Sequence, residues 1–405
     1  MKNIKLGIKI GGGFGVLILI ACALGGMAVF NMKGVEGDST RLAKEYVPEV
    51  GIANELERSA LLAMYAWRGY AFTEQENFLV EGKKQLAATQ RALEAGRKHA
   101  DAYPKLVAMK ENVQNAQDRV NTYVRLSEQT ETLVNAMHAD RDAMNAAAAS
   151  YMENCVAFLS SMNEALEKEI ADGAESDKLK ERVWKINTIN DIIDLGNDTR
   201  IKAWRAQALR DLKLVDEGMQ NFAKMEALFA KLAPTVRNPA NIKQLEATQK
   251  AGSDYRVAML SLQKHWTELD GINAQRTKMG VEALEAAQKT ATAGLEHTQG
   301  IADQAVANLS SASTVMIGGL TVGVLIGVFT AVFLTRGITG PVSKGVEFAR
   351  KLSQGDLTAN LDVDQKDEVG ILAQALRDMV AKLREIVSEV QSASDNVASG
   401  SEELS

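Results

Sequence analysis

Two stretches of the chain are apolar without interruption, and elsewhere apolar residues recur at steps of three and four. The first unbroken run lies within Ile10–Met32, densely apolar from Val16, and the second covers Val315–Leu334. About 20 helical residues cross the hydrocarbon core of a bilayer, so each run is long enough to span one. A cleaved signal peptide is the alternative for the first run; its apolar length and the presence of a second run favour a retained anchor. Lys2, Lys5 and Lys9 precede the first run, and Arg336, Lys344, Arg350 and Lys351 follow the second. Basic flanks stay in the cytoplasm, which puts both termini inside and residues 33–313 outside.

The outer stretch reads as helix throughout. From Val113 to Ala165 a seam steps by three and four, the heptad pattern that packs helical bundles. Its apolar run is broken at Ser127, Thr130 and Arg141. Breaks fall at Phe72–Glu76, at Tyr103-Pro104, at Asp172-Gly173 before Glu175-Ser176-Asp177, more weakly at Arg210-Asp211, and from Pro234 to Pro239. These predict six outer helices at 38–73, 74–100, 104–171, 176–210, 212–232 and 239–313. The two long ones can run through two levels of a stack, each short hairpin completing one four-helix bundle. Ala66-Trp67-Arg68 recurs as Ala203-Trp204-Arg205, an echo between the first arms of the two hairpins. Only 5 prolines occur in 405 residues, against about 5% in average proteins, and the expected fold class is all-α.

Past the second run, Pro341 opens a short helix, Gly355-Asp356-Leu357 sits in a connector, and Asp367-Glu368-Val369-Gly370 opens another helix. In that helix Val369, Leu372, Leu376, Met379, Leu383, Ile386 and Val390 hold one heptad register, continued by Ala393, Val397 and Leu404. A lone helix would expose this seam, so a parallel coiled coil in a homodimer is expected.

This segment resembles the HAMP linker of bacterial transmembrane receptors, on the strength of Pro341, Gly355, Asp356, Asp367, Glu368 and Gly370. The tail Ser394–Ser405 is similar to the start of the signalling helix of methyl-accepting chemotaxis receptors, and the outer part resembles their helical bimodular sensor class by architecture. The resemblance implies this domain order: cytoplasmic N-terminus 1–9, transmembrane helix 10–32, periplasmic sensor 33–313, transmembrane helix 314–335, HAMP linker 336–390, and the beginning of a signalling helix at 391–405. It implies an inner-membrane receptor that passes a helix movement inward. The sequence stops at Ser405, where the family's long cytoplasmic hairpin should begin, so a shortened chain or a protein without that output is expected. A cytoplasmic histidine kinase and a coupling protein are implied as partners only where the hairpin is present. The sensor arm of a histidine kinase, a ligand-free membrane scaffold, and indirect sensing through a soluble binding protein remain the alternatives.

Charge and chemistry narrow the picture. A net charge of −6 offers no polycation for nucleic acid. Cys22 and Cys155 cannot build a disulfide framework, and four scattered histidines lack metal-ligand spacing. No catalytic motif occurs, so no enzyme, metal or cofactor is expected. A ligand held inside a bundle needs polar groups where the seam should be apolar. In the first bundle Arg68, beside Trp67 and Tyr65, is expected to meet Arg276, Ser127 and Thr130 at one height and to clamp a small carboxylate. In the second, Arg200, Arg205 and Arg256 with Tyr255 and Trp266 form the comparable set. The competing reading is that these arginines are solvated.

Overall fold

The computed structural model describes residues 4–403. Lys2 and Leu404, named above, lie outside them, as do the side chains of Glu402 and Glu403. The described residues are helical apart from short turns and one connector, and contain no strand. The helices are α1 (Leu6–Arg41), α2 (Val47–Thr73), α3 (Glu76–Ala102), α4 (Val107–Ala171), α5 (Ser176–Leu209), α6 (Lys213–Leu232), α7 (Pro239–Ser353) and α8 (Glu368–Glu403). A π-helical turn, Leu42–Tyr46, separates α1 from α2. Two compact units result, one of Glu45–Glu296 and one of the remainder.

Within Glu45–Glu296, the α2–α3 hairpin packs on the first part of α4, and the α5–α6 hairpin on its second part. The predicted seam is the reason. Val113, Ala116, Val120, Tyr123, Ser127, Thr130, Val134 and Met137 are buried in the first bundle, and Met144, Ala148, Tyr151, Cys155, Phe158 and Met162 in the second. α7 closes both bundles. Its Gly280 and Gly294 admit Met64 and Val50 of α2, while Met259 and Trp266 join the common core. Local chemistry ends the helices where expected. Gly173, at φ +68°, closes α4 with its amide on Ile170 O and that of Ala174 on Glu169 O, a left-handed C-terminal cap. Asn238 Oδ1 accepts the Ala240 amide ahead of Pro239, capping α7.

The other unit holds both apolar runs, in α1 and α7, each long and apolar enough to cross a membrane. The short helix expected to open at Pro341 is instead part of α7, with Pro341 in its interior. Proline cannot donate to the carbonyl four residues back. That carbonyl, Gly337 O, accepts a hydrogen bond of 3.2 Å from Gln365 Nε2 in the connector. The connector's Leu361 and Val363 bury against Phe348, Ala373 and Val380, forming the core of this segment.

Candidate ligand site

In the α2–α3 bundle a cation is buried in the core. The guanidinium of Arg276, on α7, donates from Nη1 to Thr130 Oγ1 and from Nη2 to Trp67 O at 3.0 Å and Asn273 Oδ1 at 2.9 Å. The residue is 3% exposed. Its central carbon lies 5.9 Å from the ring centroids of both Trp67 and Tyr123. Helical spacing assembles this set. Tyr123, Ser127 and Thr130 step by four and three along one face of α4, and Asn273 sits one turn before Arg276. Gly82 of α3 leaves room for the indole, since a Cβ there would lie 2.9 Å from Trp67 Nε1.

Among the described residues no carboxylate pairs with Arg276. Burial disfavours its charged form, and the neighbouring Tyr123 hydroxyl partly offsets this. Burial likewise pushes the Tyr123 hydroxyl up to about 12, against the pull of Arg276. Guanidinium stays protonated in proteins, so the core carries a positive charge balanced only by dipoles and ring faces. Two more buried polar atoms, Ser127 Oγ and Trp67 Nε1, have no hydrogen-bond partner. A buried charge and two idle polar groups cost free energy unless something else satisfies them.

Of the predicted set, Arg276, Trp67 and Thr130 touch, and Ser127 is one turn away. Arg68 and Tyr65 do not join them. Successive helical residues are rotated by about 100°, so burying Trp67 turns Arg68 outward, where it is exposed. Tyr65 is exposed as well, with its ring edge-on to Phe78 at 6.1 Å. Arg68 therefore stands outside this cluster, and Arg276 is the buried cation within it. Tyr123 and Asn273, which the sequence reading does not single out as site residues, complete the cluster around Arg276. Their signal was present, as an aromatic four residues before Ser127 and an amide three before Arg276.

In the α5–α6 bundle Arg200 and Tyr255 line one narrow cleft with Tyr151, Gly196, Phe222 and Gly252. Gly196 makes that opening, because a Cβ would stand 2.6 Å from the Tyr151 ring. Arg205 is exposed, Arg256 bonds Glu226 at 3.3 Å, and Trp266 lies 5.8 Å from Arg210 instead. Those three do not converge with Arg200. The sequence echo also fails as an equivalence, since Trp67 is buried and Trp204 is exposed.

The linker signature is laid out as separate devices. Gly355 turns at φ +88°, and Asp356 Oδ1 accepts the amide and hydroxyl of Thr358 at 2.9 and 2.6 Å. Asp367 Oδ1 caps α8 through the Gly370 amide at 3.1 Å. Its other oxygen holds Lys9 Nζ at 2.6 Å, while Glu368 Oε2 accepts the Leu6 amide at 2.6 Å. Gly370 has no alternative, because a Cβ would fall 1.8 Å from Gln365 O.

Two helices apolar and long enough to cross a membrane, a helical double bundle and this linker define an all-helical protein of the membrane-anchored kind. Comparison with known proteins agrees. Residues 333–385 match the HAMP domain. Over 85 residues the chain is 36% identical to the methyl-accepting chemotaxis protein McpA of Bacillus subtilis, which is 21% of this chain and 13% of that protein. It is 33% identical over 105 residues to McpS of Pseudomonas putida, 26% and 15% of the two chains. With McpQ of the same organism it shares 27% over 195 residues, 48% and 28% of the two chains. The matched regions thus cover less than a third of each relative's length. The chain thus carries a HAMP domain and is similar, over part of its length, to methyl-accepting chemotaxis proteins.

Proposed function

We propose that this chain is the sensing and transmitting part of a chemoreceptor. In this reading the chain passes the membrane twice, at 10–32 and 314–335, with residues 33–313 on the periplasmic side as the sensor. Residues 336–390 relay a helix displacement to a signalling helix that begins at 391. The receptor works as a homodimer, and a cytoplasmic histidine kinase and coupling protein are engaged by the remainder of the receptor. The names of the relatives favour this over a histidine-kinase sensor arm or a passive scaffold.

The ligand is a small carboxylate. The observation that carries this is the buried charge of Arg276, unmatched by any acid among the described residues and close to the idle Ser127 hydroxyl and Trp67 indole N–H. A carboxylate would displace the Thr130, Trp67 or Asn273 oxygens from the guanidinium, taking a charge-assisted pair in exchange for neutral bonds, and would accept a bond from each of the two idle groups. It shifts the receptor by binding one helix arrangement better than another, and its contacts to α2, α4 and α7 span the helices that would move. The Arg200–Tyr255 cleft is a second, smaller candidate in the other bundle.

Calorimetric titration of the whole chain in nanodiscs with a panel of carboxylates tests the assignment. A charge-assisted hydrogen bond is worth roughly 1.5–3 kcal/mol, so Arg276→Gln should weaken binding about ten- to hundredfold. Arg276→Lys keeps the charge without the fork and should fall between. Arg68→Ala should bind as the wild type does. Undiminished binding by a folded Arg276→Gln, or recognition of amines or sugars instead, would refute the site.

A further inference from the structure

We infer that the cytoplasmic ends of the two apolar runs form a binding site for an anionic phospholipid, with Arg336 holding the phosphate and the headgroup's hydroxyls meeting Gln365. A cleft of about 510 Å³ opens there, lined by Lys9 of α1, by Phe329, Phe333 and Arg336 of α7, and by Gln365 of the connector. It shares Lys9, Phe329 and Phe333 with a second cleft of about 310 Å³ that continues along Ile8, Gly12 and Gly13. One end of this groove is therefore polar and the other apolar, the division of a lipid molecule.

The charges select the headgroup. Lys9 is already neutralised by Asp367 at 2.6 Å, and both side chains are nearly buried. Arg336 is exposed and has no acidic partner among the described residues. It follows the last apolar residue of the run, Leu334, by two positions, which sets it at the depth of lipid phosphates. Basic pockets between membrane helices on this side suit anionic headgroups. Gln365 supplies the second handle. Its Nε2 is committed to Gly337 O, whereas its buried Oε1 has no partner. A small rotation of the Gln365 side chain would open this idle acceptor to the cleft, where it fits a headgroup that carries both phosphate and hydroxyl, as phosphatidylglycerol does. The apolar end also fits an acyl chain. Phe329 and Phe333 stack at 6.2 Å and remain open, 72% and 40% exposed. The site rests on the two-pass topology proposed above, with both ends of the chain inside, and is independent of the carboxylate reading.

The test is lipid retention by the whole chain released from nanodiscs of phosphatidylcholine doped with phosphatidylglycerol, counted by native mass spectrometry. The wild type should keep phosphatidylglycerol in preference to phosphatidylcholine by roughly five- to tenfold. Arg336→Gln should lose that preference, Arg336→Lys should keep most of it, and Arg350→Gln should leave it intact. Equal retention of both lipids by the wild type would overturn the proposal, as would an unchanged preference in Arg336→Gln. Competition by soluble glycerophosphate as effective as that by the lipid would show a phosphate site and no lipid site. Efficient disulfide crosslinking between subunits of a Phe333→Cys variant, independent of lipid composition, would show the groove filled by a second copy and would likewise overturn it.

Discussion

Arg141 grips Glu74 with two parallel hydrogen bonds, Nη1 to Oε2 at 2.6 Å and Nη2 to Oε1 at 2.7 Å. Glu74 lies at the tip of the α2–α3 hairpin with φ +59°, a conformation unusual outside glycine. Its carboxylate also meets His138 at 2.6 Å, and Arg141 Nε donates to Gln207 of α5 at 2.7 Å. The other hairpin tip replies in kind. Arg210, at φ +54°, donates to Phe72 O at 2.5 Å and lies 4.6 Å over the Phe72 ring. The polar break that Arg141 makes in the α4 seam is therefore the joint where the two hairpins meet.

Removing one side of that joint should cost stability. The pair is partly buried, so Glu74→Ala or Arg141→Ala should lose about 1–3 kcal/mol, between the values for exposed and buried pairs. Burial alone would raise the Glu74 pKa; the Arg141 hydrogen bond and charge, followed by those of His138, outweigh it and hold the group below the usual 4.5. A lowered folded-state pKa gives stability that is present above 4.5 and is lost as pH falls below it. Thermal melts of wild type and Glu74→Gln from pH 7 down to pH 3 should converge toward acid. A constant gap between them would count against the joint.

Glu49 titrates in the opposite sense. It is 1% exposed on α2, its Oε2 has no hydrogen-bond partner, and Gly294 of α7 lies against it. Burial pushes its pKa up to about 7 from 4.5. The folded protein then holds the proton more tightly than the unfolded chain does, so stability is full below pH 4.5 and declines as pH rises to about 7. At 1.36 kcal/mol per unit the loss is on the order of 3 kcal/mol. Glu49→Gln should abolish this decline and melt higher than the wild type at pH 8. Parallel melting curves for the two proteins from pH 5 to pH 8 would show that Glu49 is charged throughout.

Sequence periodicity revealed the helices and their breaks because one face of α4 is buried along nearly its whole length, and burial writes itself as a three–four repeat. It could not reveal that α7 continues through Pro341. That depends on Gln365, which reaches from a connector with no periodicity of its own to the carbonyl that proline leaves free. The π-helical turn at Leu42–Tyr46 likewise has no signature in spacing. In the candidate site, counting residues made a shared height legible, and Arg276 does meet Thr130 there, with Ser127 one turn along α4. Helix rotation was harder. Trp67 and Arg68 are neighbours in sequence, and only the packing of Gly82 against the indole decides which of them points inward. The same limit explains Trp204, whose sequence surroundings copy those of Trp67 while its side chain faces out.

The seam of α8 gives the last prediction. In a single chain Leu372, Met379, Leu383, Ile386 and Val390 are between 37% and 60% exposed, although they hold one heptad register. Arg377 and Arg384 face the other way. Arg377 Nη1 donates to Leu361 O and Val363 O, both at 3.1 Å, and Arg384 donates to Leu357 O and Ala359 O, so both are held on the connector of their own chain. Leu376 is committed partly to that same side, packed against the Phe348 cluster. A parallel partner helix would bury the open seam by knobs-into-holes packing. Single cysteines at Leu383 and Ile386 should therefore crosslink between subunits in membranes, several-fold more than cysteines at Arg377 or Arg384. Leu376→Cys should give an intermediate yield. Oxidative crosslinking followed by non-reducing electrophoresis reads the result, and equal yields around the helix, or a maximum at Arg377, would exclude a parallel dimer through this face.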